Sequence, residues 1–133
     1  MSSPVGLSEA CRDALHHVKE TREVNTVILR YGDAPGVLVP EVEANLTHDE
    51  LIQALPADAP RLVVHELSFA THEGARRHER LLIWWMPPAA GGQEATYAAG
   101  YAALEEFLSD VHVRLRATGT DQLDYQRLVA LAG

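Results

Sequence analysis

Lysine is almost missing from this chain. Lys19 is the only one, and the 11 basic residues stand against 19 acidic ones, for a formal net charge of −8 over 133 residues. Phosphate recognition needs clustered cations, so this balance argues against general nucleic-acid binding. Cysteine is as scarce: Cys11 has no partner within the chain, which rules out an internal disulfide and fits a reducing compartment. No apolar run approaches the ~20 residues of a membrane-spanning helix. The opening MSSPVGLSEACR also lacks the charged-then-apolar order of a secretion signal, so the expectation is a cytosolic protein. There is no repeat and no low-complexity tract, and an enrichment in Ala and Gly over residues 89–103 is too short to be one.

Catalytic motifs are missing as well. Cys11 shares the apolar face of a predicted helix with Leu15 and Val18, the setting of a structural thiol and not of a nucleophile. His16 and His17 are adjacent on that helix and point about 100° apart, poor geometry for one metal ion. His72 and His78 flank a polar turn and could meet His65 on one hairpin, but solvated turn histidines are far commoner than ligand sets. Gly91-Gly92 before a helix has the look of an anion cradle, yet neither GxGxxG nor GxxxxGK[ST] is present, and Glu94 already supplies the negative charge that the helix dipole favours. No catalytic residue, metal or cofactor is expected, and the chain does not read as an enzyme.

What is present is a crossover unit over residues 80–118. Residues 80–86 form a compact apolar run with Trp84 and Trp85, of the kind a strand covered on both faces needs. Pro87 and Pro88 end it. From Gln93 to about Ser109, Tyr97, Tyr101, Leu104 and Leu108 recur at i, i+4, i+7 and i+11, one face of a helix destined for a sheet. Val111, Val113, Leu115 and Ala117 then alternate with His112, Arg114 and Arg116, the period of a half-buried strand.

The remainder supports that unit. Residues 1–7 are read as a mobile arm, Ser8 as the N-cap of a helix over roughly residues 9–20, and residues 24–31 and 37–42 as a hairpin whose Pro40 suggests an edge. Thr47-His48-Asp49-Glu50 is a capping box for a short helix. Residues 61–70 form a third strand, joined by residues 71–79 to the tryptophan-rich one, and a last helix follows near residues 124–131. At this length one core suffices, so residues 1–133 are expected to form a single domain. Long crossovers force parallel neighbours and tight turns antiparallel ones. The expected fold is therefore α+β, a central mixed five-stranded sheet flanked by helices on both faces.

The pieces that carry a resemblance are Ser3 to Cys11, Leu46-Thr47, Leu55-Pro56-Ala57-Asp58, Arg61, Trp85, Pro87, Tyr97-Ala98, Ala103-Leu104, Leu108, Val113, Leu115 and Ala117-Thr118. In order and spacing they resemble the actin-depolymerising-factor homology domain of the ADF/cofilin proteins, over nearly the whole chain. The resemblance implies a monomeric, non-enzymatic, cytoplasmic protein of the actin cytoskeleton that regulates filament dynamics. It implies attachment through the arm and long helix, at Ser3, Val5, Gly6, Gly92, Glu94 and Ala95. A second, filament-only surface would lie on the hairpin and last helix, with Arg76, Arg77 and Arg80, and phosphorylation at Ser2 or Ser3 would switch binding off. The family's two basic positions at the start of the long helix correspond to Gly92 and Glu94, and its Met to Ala95, so monomer binding is expected to be weakened. Two other readings stay open. Pro60-Arg61 and Gln93 resemble glia maturation factor, which acts on the branch-forming actin-related complex, and, since fold does not fix function, a protein-interaction module unrelated to actin is the other.

Overall fold

Two runs rich in leucine and β-branched residues, TVILRY and RLVVHELSFA, become the paired central strands of one sheet. The structure, a computed structural model, describes residues 6–21, 24–32, 37–71, 73–90, 94–108, 111 and 113–132. In chain order the elements are β1 (Gly6–Leu7), α1 (Glu9–His16), β2 (Thr26–Tyr31), β3 (Val37–Ala44), α2 (His48–Ala54), β4 (Arg61–Ala70), β5 (Arg76–Trp85), α3 (Glu94–Phe107), β6 (Val113–Ala117) and α4 (Tyr125–Ala132). The sheet runs β1-β3-β2-β4-β5-β6, with β1–β3 and β5–β6 parallel and the other pairs antiparallel. Among the described residues no helix is long and apolar enough to cross a membrane.

The five expected strands are there, and the expected mixed sheet with them, but it has a sixth strand. Gly6 and Leu7, read from sequence as part of a mobile arm, pair with Val37 and Leu38, and the Ser8 N–H donates to the Leu38 carbonyl at 3.2 Å. Two residues carry too little pattern to announce a strand. Helix α1 is also shorter than its sequence span: the α-helix ends at His16, and residues His17–Thr21 continue as a π-helical turn. Its cap is as read, with Ser8 Oγ accepting from the Cys11 N–H at 3.0 Å. The capping box of α2 forms in both directions, Thr47 with Glu50. Pro40 sits opposite Leu29 at a register shift in β3, as a residue without an N–H to donate should.

The largest correction lies in the second hairpin. Strand β5 begins at Arg76, not Arg80, because a tight turn holds the ladder closed: Thr71 N–H donates to the Ala75 carbonyl at 2.8 Å and Gly74 N–H to the Thr71 carbonyl at 2.9 Å, with Gly74 at φ +86. The charges of residues 76–79 read as a loop, whereas they are the polar continuation of the ladder, down to Ala70 opposite Arg76.

Alternation divides the core in two. Leu62, Val64 and Leu82 face α1 and α3, while Val63, Leu67, Leu81 and Ile83 face α2 and α4. The tryptophans obey the same rule: Trp85 is buried on the α2/α4 side with its Nε1 donating to the Pro56 carbonyl at 2.7 Å, and Trp84 is half-buried on the other. The small residues of α3 let it lie close on the sheet. A Cβ at Gly100 would stand 2.8 Å from Tyr31 Oη and 3.0 Å from Leu62 Cδ1. Overpacking of this kind costs ~1–3 kcal/mol against a gain of ~1 kcal/mol in helix propensity. Gly100→Ala is therefore expected to lose roughly 1 kcal/mol, read as a lower urea midpoint at unchanged slope.

Candidate functional site

The long helix α3 presents an acidic start. Glu94 is 63% exposed in its first turn, where its carboxylate suits the helix dipole, and Ala95 beside it is exposed too. Opposite these, Tyr97 is buried at 3% exposure. Its hydroxyl accepts from the Tyr31 N–H at 3.2 Å, its ring meets that of Tyr31 edge-on at 4.9 Å, and Tyr31 Oη donates to the Thr96 carbonyl at 2.8 Å. Strand β2 thus clamps the first turns of the helix, which fixes where Glu94 and Ala95 face.

Along one flank of α3, Glu94, Tyr101 and Glu105 follow the i, i+7, i+11 spacing and meet side chains rising from β5 and β6. Arg116 Nη1 lies 3.3 Å from Glu94 Oε2, and Arg114 Nε lies 3.3 Å from Glu105 Oε2. Between the two pairs the Arg116 guanidinium rests 4.4 Å from the centre of the Trp84 ring, which in turn lies 5.7 Å from that of Tyr101. Sequence reading missed this seam, since it took the polar half of β6 for the solvent side. The parallel pairing with β5, which local alternation does not reveal, sets Arg114 beside Leu82 and Arg116 beside Trp84 on the face that carries α1 and α3.

The three hairpin arginines are not brought together. Arg76 and Arg80 share the face of Ser68 and Glu66, whereas Arg77 points to the other side, beside Phe69 and Glu79. Their freedom differs as well. Arg80 is 10% exposed and bound to Glu66 at 3.3 Å, and Arg77 donates to Glu79 at 2.5 Å. Arg76 is exposed, with a 3.4 Å contact to Ser68 Oγ. Next to Arg77 a cleft of about 480 Å³ opens between the hairpin and α4, lined by Phe69, Thr71, Glu73 and Val129. Of the remaining expected contacts, Gly6 lies in β1, and Ser2, Ser3, Val5 and Gly92 fall outside the described residues, as does His72.

The other reactive candidates are structural. Burial pushes the Cys11 thiol up to about 11, against the weaker pull of Arg12, so it stays protonated and unreactive. His65 is 3% exposed and its Nδ1 lies 2.8 Å from Thr26 Oγ1. The Thr26 hydroxyl donates to Asn25 Oδ1 at 2.7 Å, so His65 must be the donor, in its Nδ1–H form. Burial, with His48 nearby, pushes its pKa down to about 4. His17 pairs with Glu43 across to β3, and His48 Nε2 donates to the Leu123 carbonyl at 2.5 Å. Among the described residues no cluster of three or more His, Cys, Asp or Glu could hold a metal ion.

In sequence and in fold this chain is similar to several known proteins. Actophorin of Entamoeba histolytica is 21% identical over 128 residues, spanning 95% of this chain and 93% of its own. The cofilin of Streptomyces griseoflavus superposes with a TM-score of 0.87 at 20% identity, covering 97% of each chain. Coactosin of Entamoeba histolytica follows at 0.82 and 20%, covering 98% of this chain and 96% of its own. At such identity the two structures establish the fold. The sequence profile of the cofilin/tropomyosin-type actin-binding proteins matches residues 4–131, nearly every residue that builds the sheet and its helices, and the chain belongs to that family.

Proposed function

We propose that this protein binds actin filaments and regulates their turnover, by depolymerisation or severing, and that it binds actin monomers only weakly. It would act without catalytic chemistry, as a cytoplasmic monomer on the cytoskeleton. The observation that carries the reading is the unequal charge of the two candidate surfaces. At the start of α3 an exposed carboxylate, Glu94, stands where the family resemblance places a cation, and like charge across an interface with an acidic partner costs affinity and slows association. The hairpin, in contrast, offers an exposed cation in Arg76. Arg77 and Arg80 are committed to Glu79 and Glu66, so they support the hairpin more than they contact a partner.

Cosedimentation with actin filaments tests the proposal. The wild-type chain is expected to pellet with filaments, and Arg76→Ala to weaken that binding and flatten its salt dependence, by ~0.5–2 kcal/mol if the contact is desolvated. Arg80→Ala should act mainly on stability. Filament binding unchanged by Arg76→Ala would remove the hairpin from the interface. Pro60-Arg61 at the start of β4 favours a second reading, binding to the branch-forming actin-related complex. Pelleting that requires that complex would move this reading ahead.

A further inference from the structure

The family relationship leaves a problem of charge: residues 93–110 contain no Lys or Arg, yet they include the helix through which an acidic partner would be met. The seam beside α3 offers a solution. We infer that Arg114 and Arg116, delivered from β6 past the flank of the helix, are the cations that meet the partner at this surface, and that Glu94 and Glu105 hold them until a partner carboxylate takes their place. The inference rests on the reading of this protein as an actin binder, and its occupant is the acidic surface of an actin monomer.

Three features support it. First, both guanidinium groups are reachable: Arg114 is 45% and Arg116 43% exposed, on the same edge as the exposed first turn of α3. Second, each is held by one N–O contact of 3.3 Å to a carboxylate that is itself 38% or 63% exposed. Solvent-exposed pairs of this kind contribute little net stability, so exchanging the internal carboxylate for an external one costs little. Third, Arg116 is pre-organised. Its guanidinium lies over Trp84, which Tyr101 backs in turn, so the planar donor set is fixed at the surface before a partner arrives. A lysine at this site would keep the charge but lose the stack and the fork of donors. An acid at Glu94 is then no contradiction in a binding helix. It lowers affinity by competing for Arg116, and it keeps that side chain extended along the seam.

Titration of fluorescently labelled actin monomers with the full chain tests the inference. Arg114→Gln with Arg116→Gln is expected to weaken monomer binding roughly 10-fold and to reduce its salt dependence. Glu94→Gln with Glu105→Gln is expected to strengthen it by about 3-fold or more, because the arginines lose their internal competitors. Arg114→Gln alone leaves Trp84 and its stack untouched, so it gives the same reading, at smaller amplitude, should the double arginine variant fold poorly. Equal affinity of wild type and the arginine variants, or weaker binding by the glutamine pair at α3, would overturn the inference while leaving actin binding itself intact. A wild-type chain that binds neither monomers nor filaments would overturn the functional reading and this inference together.

Discussion

Replacing Tyr97 with alanine is expected to destabilise the domain by ~3–5 kcal/mol, the usual cost of truncating a buried aromatic. Against a total stability of ~5–15 kcal/mol, that leaves a large share of the chain unfolded or near its transition at physiological temperature. The size follows from what the side chain joins. Tyr97 fills the space between α3 and β2, stacks edge-on against Tyr31, and accepts the Tyr31 N–H, a backbone donor at the last residue of its strand. Alanine would leave a cavity and an unpaired donor together. Tyr97→Phe separates the two: it keeps the packing and removes only the acceptor, so a loss of ~1–3 kcal/mol is expected from the orphaned N–H. Urea unfolding of the three proteins measures both contributions. Tyr97→Ala melting at the wild-type temperature would mean that the helix is not seated on the sheet through this residue.

Acidification should destabilise the protein through His65. Buried under α2 and α4, this histidine is neutral in the folded state, with its pKa pushed down from the ordinary 6.5 to about 4 by burial first and by His48 second. The unfolded chain takes up a proton below pH 6.5 and the folded one does not until about pH 4, so stability falls as pH drops through that window. A difference of this size corresponds to about 3 kcal/mol at pH 4, of which about 2 kcal/mol is already lost by pH 5. Among the described residues no carboxylate counters these two effects. His48 comes from α2, Tyr125 lines the same pocket from α4 with its hydroxyl on the Ser68 carbonyl, and Glu66 points to the other face, where Arg80 holds it. His65→Gln, which can still donate to Thr26, should flatten the stability curve between pH 6.5 and 5, a range above most carboxylate titration. Parallel curves for wild type and His65→Gln across that range would show that the proton goes elsewhere.

The sequence by itself determined the elements whose signals are local. Period 3.6 in residues 97–108 and period 2 in residues 113–117 gave α3 and β6, and Thr47 to Glu50 gave the cap of α2, because each depends on neighbours within one or two turns. It also determined that Trp84 and Trp85 part company across the sheet, and that Cys11 is structural. What it could not determine was anything set by pairing at a distance. Whether residues 76–79 are loop or strand depends on a five-residue turn holding two strands in register, and Gly6-Leu7 become a strand only because β3 offers an edge. The same reason governs the surfaces. Arg76, Arg77 and Arg80 read as one basic cluster along the chain, yet the pleat sends them to opposite faces and two of them to carboxylates. Arg114 and Arg116 read as a solvent face, yet parallel pairing with β5 sets them against Trp84 and the acids of the long helix. A side chain's face follows from its own alternation. Its partner follows from which strand lies alongside, and that is decided only when the sheet closes.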